Sequence, residues 1–235
     1  AITTAEAAQL TAAQINALSS AQFVKLDTAD IAALSNGVIS SLGTRAISAI
    51  TDAQVAALNS SQVASLTTSQ LNSLTNINKI DPSDLAAVSA SNFSKLSSTQ
   101  LANLSTAQAN ALTAAQVKAL STTQISQLEA ADVGAFNTAV ISSLATNQLV
   151  ALTTAQANQI TTVQAVALSA TQLSAMEGAD LAALTTSSQQ ALSQSQLAKL
   201  SSSQLAAMTG LSSAQSTGGT YSIMSSADIR GISTT

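Results

Sequence analysis

An apolar residue recurs at every eighth position along almost the whole chain. The series runs from Ile2 to Leu74, restarts at Ile80 and continues to Met208, and a six-residue unit, 74–79, separates its two parts. Each octad follows the pattern Leu-(Ser/Thr)-x-x-Gln-(Val/Ile/Leu)-x-x, as in residues 10–17. We number the octad positions one to eight, starting from the apolar anchor. Self-similarity at a fixed period indicates a repeat architecture.

The eight-residue period fits neither one long helix nor a strand. Eight residues at about 100° each leave the anchor turned by about 80° per octad, so no continuous apolar face forms. The apolar spacings of five and three also break the period of two that a strand requires, and Ala and Gln are poor strand formers. Both interpretations are therefore rejected.

Each octad instead has the features of a helix start. Ser or Thr at position two, followed by Gln, Asp or Glu at position five, is a capping box, and the apolar residues at positions one and six are partners of a hydrophobic staple. Pro82 falls at the first helical position of its octad, where a missing N–H costs little. About six residues remain before the next cap, and such short helices are stable only against neighbours. The pattern predicts an all-α solenoid of very short helices, one per octad.

Acidic residues define a second, longer period. Four octads have acids at both positions two and five, and a fifth keeps only Asp228. From Asp84 onward the position-five acids are 48 residues apart, which predicts a 48-residue super-repeat of six octads. One explanation is that about 48 residues form one coil of the solenoid, and duplication of a 48-residue segment is the other. The four pairs are Asp27/Asp30, Asp81/Asp84, Glu129/Asp132 and Glu177/Asp180.

The repeat predicts a single solenoid domain over residues 1–235. It consists of octads at 2–73, the irregular unit 74–79, octads at 80–215 and an irregular end at 216–235. Neither end shows a polar capping repeat, and solenoids need covered ends to stay monomeric. The chain is therefore expected either to come from a longer protein or to stack head to tail on copies of itself.

Composition narrows the classes of function. The chain has no His and no Cys, so it lacks the ordinary ligands for zinc, haem and iron–sulfur clusters, a thiol nucleophile and an imidazole base. We expect no enzyme, no cofactor, and no catalytic, cofactor-binding or metal residues. A net charge of −4 without a basic stripe disfavours nucleic acid and anionic membrane surfaces as partners. Polar residues interrupt every apolar run, so no membrane span is expected.

The acid pairs and the hydroxyl rows each admit two interpretations. Stacked carboxylates could bind Ca²⁺, but the preferred interpretation is that they stabilise helix starts as N-cap and N3 residues. Rows of Ser and Thr could bind ice or glycan, yet the regular hydroxyls are N-caps whose oxygens are already engaged.

The remaining unusual side chains have structural interpretations. Phe23, Phe93 and Phe136 fall at staple positions and are expected to fill the core, and Tyr221 is expected to mark an end contact. The basic residues are expected to be solvated or to neutralise nearby acids; they are Lys25, Arg45, Lys79, Lys95, Lys118, Lys199 and Arg230.

The octads at 10–17 and 152–159 resemble the LTTAQ-type repeats of large secreted or surface proteins of proteobacteria. The resemblance implies an extracellular structural or adhesive role and brings no catalytic residues. The octads at Leu34, Leu42 and Ser216 depart from it. We therefore expect a self-associating subunit of an extracellular filament or surface assembly. The alternatives are an adhesin stalk, or a repeat module that binds calcium, glycan or ice.

Overall fold

The computed structural model describes residues 2–212 and Gln215, and every regular element within them is a short helix. The chain divides into two compact units, residues 1–120 and 121–235. The described part thus confirms the predicted all-α class, with helices of four to six residues stacked in a repeating solenoid arrangement. A single domain over 1–235 stays a prediction.

The first unit contains fourteen α-helices and one 3₁₀ helix in its described part. These are α1 (Thr4–Ala7), α2 (Ala12–Asn16), α3 (Ser20–Phe23), α4 (Thr28–Ala33), α5 (Asn36–Ser40), α6 (Thr44–Ala49), α7 (Asp52–Ala56), α8 (Ser60–Ser65), α9 (Thr68–Ser73), the 3₁₀ helix Ile77–Lys79, α10 (Pro82–Leu85), α11 (Ala90–Phe93), α12 (Ser98–Ala102), α13 (Thr106–Ala111) and α14 (Ala114–Lys118).

The second unit continues with eleven α-helices up to residue 212. These are α15 (Thr122–Ser126), α16 (Ala130–Ala135), α17 (Thr138–Ser143), α18 (Thr146–Val150), α19 (Thr154–Asn158), α20 (Thr162–Ala167), α21 (Ala170–Ala175), α22 (Gly178–Ala183), α23 (Thr186–Gln190), α24 (Gln194–Leu197) and α25 (Ser202–Ala207).

The helices begin where the octad pattern predicts. At the start of α2, the amide of Gln14 donates to Thr11 Oγ1 at 3.3 Å, and the amide of Thr11 donates to Gln14 Oε1 at 2.8 Å. The same reciprocal capping box recurs at many helix starts in both units. Pro82 is the first residue of α10, as expected. The capping-box prediction is confirmed.

The staple residues form the core of each unit. Ile15, at position six, is 1% exposed, and Leu34, at position one, is 3% exposed. Phe23, Phe93 and Phe136 are buried, as predicted for core residues. Burial of one such side chain stabilises the fold by roughly 1.5–3 kcal/mol relative to its exposed state. Neighbouring octads together therefore supply the stability that one short helix lacks.

Three octads, not six, complete one coil. α5 packs on α2 and α8 packs on α5, so each helix contacts the helix three octads away. Hydrogen bonds between coils follow the same spacing. Gln62, at position five, donates through Nε2 to the carbonyl of Leu34, at position one of the octad three before it, so the two residues are 28 apart. The prediction of a 48-residue coil is therefore wrong. Each octad supplies only two core side chains, enough to fill a coil of three short helices but too few for the wider interior of six.

The unit at 74–79 takes the place of one octad. Its 3₁₀ helix packs on α7, and Ile77 is fully buried like the residues at position six. Because the unit is two residues shorter than an octad, bonded partners across it are closer in sequence. Gln100 Nε2 donates to the carbonyl of Leu74, 26 residues earlier instead of 28.

The octad frame shifts by three residues after Met208. The next cap is Ser212 instead of Thr209: the amide of Gln215 donates to Ser212 Oγ at 3.3 Å, and the amide of Ser212 donates to Gln215 Oε1 at 2.9 Å. Gly210 in the inserted segment donates to Gln189 Oε1 at 2.8 Å, and a Cβ at this glycine would meet the same atom at 2.8 Å. The predicted features at Tyr221, Asp228 and Arg230 lie outside the described residues.

Candidate functional site

A ladder of glutamine side chains joins neighbouring coils. In α14, Gln116 Oε1 accepts the amide of Thr113 at 2.9 Å and so completes the capping box. Its Nε2 donates to the carbonyls of Leu85 at 3.0 Å and Val88 at 2.8 Å in the preceding coil. These carbonyls lie where one helix ends and the next octad begins, and we call such a place a corner of the coil. The glutamines that bond a preceding coil within their own unit are Gln54, Gln62, Gln70, Gln100, Gln108, Gln116, Gln156, Gln164, Gln172, Gln196 and Gln204.

The ladder gives the carbonyls of the anchor residues their hydrogen-bond donors. The carbonyl of Leu85 already accepts the amide of Val88 at 3.1 Å, whereas the carbonyl of Val88, which lies between two helices, accepts no backbone amide of a described residue. These corners are buried where the ladder covers them: Gln116 is 1% exposed and Gln108 is fully buried. An unpaired buried polar group costs about 1–3 kcal/mol. Each ladder glutamine therefore contributes strongly to the joint between two coils.

Sequence reasoning found the capping box but missed the ladder. A capping box is satisfied by Glu as well as by Gln, yet Glu6 is the single Glu at position five among the described octads. An amide can accept from the N-cap and donate to a neighbouring coil at the same time, whereas an ionised carboxylate can only accept. The avoidance of Glu at position five was the signal available in the sequence.

Asparagine at position seven adds a second contact between coils. Asn16 Nδ2 donates to the carbonyl of Ser41 at 2.8 Å, and the amide of Gly43 donates to Asn16 Oδ1 at 2.9 Å. Asn72 makes both kinds of bond to the following coil, and Asn158 Nδ2 donates to the carbonyl of Ala183 at 2.8 Å. The asparagine therefore supplies the amide of Gly43 with the acceptor that Ala46, at position five of this octad, cannot provide. This contact was also not predicted.

The 48-residue period corresponds to two kinds of coil that alternate. In the coil 50–73, all three position-five residues are Gln. In the coil 26–49 they are Asp30, Val38 and Ala46, so this coil lacks the ladder. The second unit repeats the alternation, because Asp180 and Ser188 interrupt the glutamine series there. Two coils, one rich in Gln and one with an acid, make up the super-repeat.

The predicted acid pairs occupy N-cap and N3 positions, but their geometries differ. Asp27 and Asp30 form a reciprocal box, in which the amide of Asp30 donates to Asp27 Oδ1 at 2.9 Å and the amide of Asp27 donates to Asp30 Oδ2 at 3.2 Å. Asp81 instead accepts the amide two residues later. Glu129 and Glu177 make no side-chain cap bond.

Three of the position-five acids are buried where the ladder has Gln. Asp30, Asp132 and Asp180 are 2–4% exposed, and an ionised carboxylate has no N–H for the corner carbonyls. Asp30 Oδ1 and Asp132 Oδ2 have no hydrogen-bond partner within the described residues. Burial, and then the nearby Glu129 carboxylate, raises the pKa of Asp132 to about 6. Burial also raises the pKa of Asp180, against the opposing effect of the Thr154 hydroxyl.

The charged side chains do not gather into a larger cluster in the described part of the chain. Residues 2–212 and 215 contain no group of three or more His, Cys, Asp or Glu side chains that could hold a metal ion. Calcium binding by the acid pairs stays an untested alternative. The basic residues within 2–212 are exposed, as predicted, and Lys79 Nζ lies 3.6 Å from Asp52 Oδ2. None of the described helices has the length and apolar character to cross a membrane.

Hydroxyls outside the caps also bond the backbone. Ser65 Oγ donates to the carbonyl of Gln62 at 2.7 Å, and Ser73 Oγ donates to the carbonyl of Ser69 at 2.8 Å. These hydroxyls are engaged within their own helices, as the N-cap oxygens are. Ice or glycan binding stays an untested alternative.

The first coil presents a copy of the ladder surface that no described residue covers. Gln14 and Gln22 form capping boxes, but both are exposed and their Nε2 atoms have no partner within the described residues. The anchors Leu10 and Leu18 are only half-buried, whereas the anchors from Leu34 to Met208 are buried. We call the surface formed by Leu10, Gln14, Leu18 and Gln22 the first-coil face.

Comparison with family models matches the ALTTAQ repeat at residues 23–60, 77–122, 93–130 and 125–162, which together cover just over half of the chain. The chain belongs to the ALTTAQ repeat family. This match confirms the predicted resemblance to LTTAQ-type repeats. In the ALTTAQ repeat, Leu, the first Thr and Gln are the anchor, the N-cap and the ladder residue. No curated protein matches the chain.

Proposed function

We propose that this ALTTAQ repeat protein is a non-enzymatic structural protein. It is a subunit of an extracellular bacterial filament or surface assembly in which chains stack end to end. The first-coil face supports this proposal, because it repeats the surface that joins coils inside each unit. The side-chain amides of Gln14 and Gln22 lie on this face beside the half-buried Leu10 and Leu18.

The partner that fits the first-coil face is the end of a coil in a second copy of the chain. Within the first unit, the Nε2 atoms of Gln62 and Gln70 each donate to carbonyls at a corner of the preceding coil. A second copy that presents such a corner would give Gln14 and Gln22 the same bonds and would cover the half-buried anchors. A head-to-tail contact of this kind extends into a filament when its rotation does not close a ring.

Replacing both Gln14 and Gln22 by Glu should weaken end-to-end association at least about tenfold per residue. Glu keeps the oxygen that caps the helix but replaces the donor with a carboxylate, which repels the partner's carbonyls. Sedimentation velocity over a concentration series, with electron microscopy of the same samples, measures the effect. The double variant Gln127→Glu/Gln190→Glu is the control, because it makes the same charge change at two exposed glutamines that do not belong to the first-coil face. Wild-type protein that stays monomeric at every concentration would refute the proposal.

Replacing Glu6 by Gln should strengthen the same association about five- to tenfold. Glu6 is the exposed position-five residue of the first octad, and its carboxylate accepts the amide of Thr3 at 2.8 Å and its hydroxyl at 2.9 Å. Gln retains the cap and adds a donor, and one hydrogen bond is worth about 1 kcal/mol net. Unchanged sedimentation of the Glu6→Gln variant would place this corner outside the interface.

A further inference from the structure

The contact between the first coil, residues 2–25, and the second coil, residues 26–49, lacks the glutamine ladder. We call this contact the joint beneath the second coil. α5 packs on α2 and α6 packs on α3, so the ladder spacing places Val38 over Leu10 and Ala46 over Leu18. Neither Val nor Ala can donate a side-chain hydrogen bond. The carbonyls of Leu10 and Leu18 accept no hydrogen bond from any described residue.

One asparagine makes the hydrogen bonds across this joint in the described part of the chain. Asn16 bonds the carbonyl of Ser41 and the amide of Gly43, as described above. At the next joint, all three position-five glutamines donate to the coil below. Gln54 Nε2 also donates to the carbonyl of Phe23 at 3.2 Å. The part of the first coil that the ladder glutamines bond therefore begins only after Leu18.

A depression of about 220 Å³ lies at the same joint. Its lining includes Asn16, Leu18, Gly43 and Ala46. It lies where the side chain of a glutamine at position 46 would extend toward the carbonyl of Leu18. In the coil above, the corresponding Gln70 is 2% exposed and fills its corner. The joint beneath the second coil therefore loses both hydrogen bonds and packing contacts.

The third corner of this joint is weak for a different reason. Asp30 packs there at 3% exposure, on a helix that contacts α1, and its Oδ1 atom is buried without a hydrogen-bond partner among the described residues. Burial of an unpaired carboxylate oxygen penalises the closed joint. None of the three corners beneath the second coil therefore has the bonding of a ladder joint.

We infer that residues 2–18, which contain α1 and α2, open from the coil above them as one segment while residues 26–120 stay folded. Segments with few buried polar bonds and little cover open at a lower free energy than the unit as a whole. The opening breaks the two bonds of Asn16 and exposes Ile15 and Val38, which are 1% and 5% exposed in the closed joint. This inference does not depend on the proposed self-association.

Hydrogen exchange of the full chain, measured by mass spectrometry, tests the opening. The amides of residues 2–18 should exchange at least about a hundredfold faster than those of 50–73, because their opening is local. Chain ends fray in general, so variants decide the cause. Ala46→Gln and Val38→Gln should each slow exchange in 2–18 about fivefold, since each restores a ladder donor worth about 1 kcal/mol.

Ala29→Gln is the matched control for these variants. It adds the same side chain to the same coil at an exposed position four, which faces no corner. We expect no change in the exchange of residues 2–18. Equal protection of 2–18 and 50–73 in the wild type would overturn the inference. So would an absence of slowing in both Ala46→Gln and Val38→Gln, or the same slowing in the Ala29→Gln control.

Discussion

Replacing Gln116 by Glu should lower the free energy of unfolding by about 3–5 kcal/mol at pH 7. Gln116 is 1% exposed, and its Nε2 donates to the carbonyls of Leu85 and Val88. Glu has the same size and keeps the bond to the N-cap amide, but it places an ionised carboxylate against two carbonyl oxygens. The protein then loses both donated bonds and buries an uncompensated charge.

Gln14→Glu is the matched control for this substitution. Both glutamines follow the same Leu-Thr-Ala-Ala sequence and form the same capping box. Gln14 is exposed and bonds no other coil among the described residues, so its replacement should change stability by less than about 0.5 kcal/mol. Urea unfolding followed by circular dichroism, at a concentration where the chain is monomeric, compares the two variants. Equal losses in both would contradict the ladder as the source of the effect.

Acid provides a second check on the Gln116→Glu variant. Burial should raise the pKa of the introduced carboxyl, and its protonated form can again donate to a corner carbonyl. The deficit relative to wild type should therefore shrink when unfolding is repeated near pH 4. A deficit independent of pH would indicate lost packing instead of a buried charge.

The pH dependence of stability should identify Asp132 as a destabilising carboxylate. Its pKa is about 6 in the folded protein, above the ordinary value of 3.8, because it is buried and lies near Glu129. The folded state therefore holds this proton more tightly than the unfolded state. Between about pH 4 and pH 6 unfolding releases the proton, so the free energy of unfolding falls as pH rises. Above this window the full penalty, roughly 1–3 kcal/mol, is present.

Asp132→Asn isolates this contribution. Asn keeps the size of the side chain without its charge, so the difference in stability between variant and wild type should grow from pH 4 to pH 7. Groups with lowered pKa values, such as Asp81 with its bonds from Ser83, act in the opposite direction but cancel in the difference. A flat Asp132→Asn difference would show that this carboxyl does not titrate abnormally.

The local structure of this chain was predictable because its determinants are local. The cap and the staple of α2 lie within a few residues of one another, and the same signals recur in every regular octad. The number of octads per coil depends instead on packing between residues about 24 apart, which no single octad specifies. The 48-residue acid period indicated the wrong coil length because two coil types alternate. The sequence also marks the unit at 74–79 as irregular, but the burial of Ile77 and the packing of its 3₁₀ helix on α7 are what show that it substitutes for an octad.

The ladder was not predicted because the capping box already explained the glutamines at position five. The Oε1 atom of Gln116 accounts for its place in the capping box, so nothing required a partner for Nε2. The same holds for the acids, whose place in the cap accounts for only one of their environments. Asp132 was assigned correctly to N3, but its burial depends on the neighbouring coil and not on its own octad. The sequence patterns thus predicted the hydrogen bonds within an octad but not those between coils.

The three-octad coil restricts how such a chain can change in length during evolution. With three octads per coil, the helices stack in three columns. Insertion or deletion of one octad moves every later helix to the next column, so residues that had been aligned along one face no longer coincide. The unit at 74–79 has this effect in the first unit: the acidic helix α4 stacks with α1 and α7, whereas the acidic helix α10 stacks with α8 and α13. Only gains or losses of three octads at a time preserve a face. Alternation of the two coil types is preserved only when six octads are copied together, which makes the 48-residue segment the natural unit of duplication.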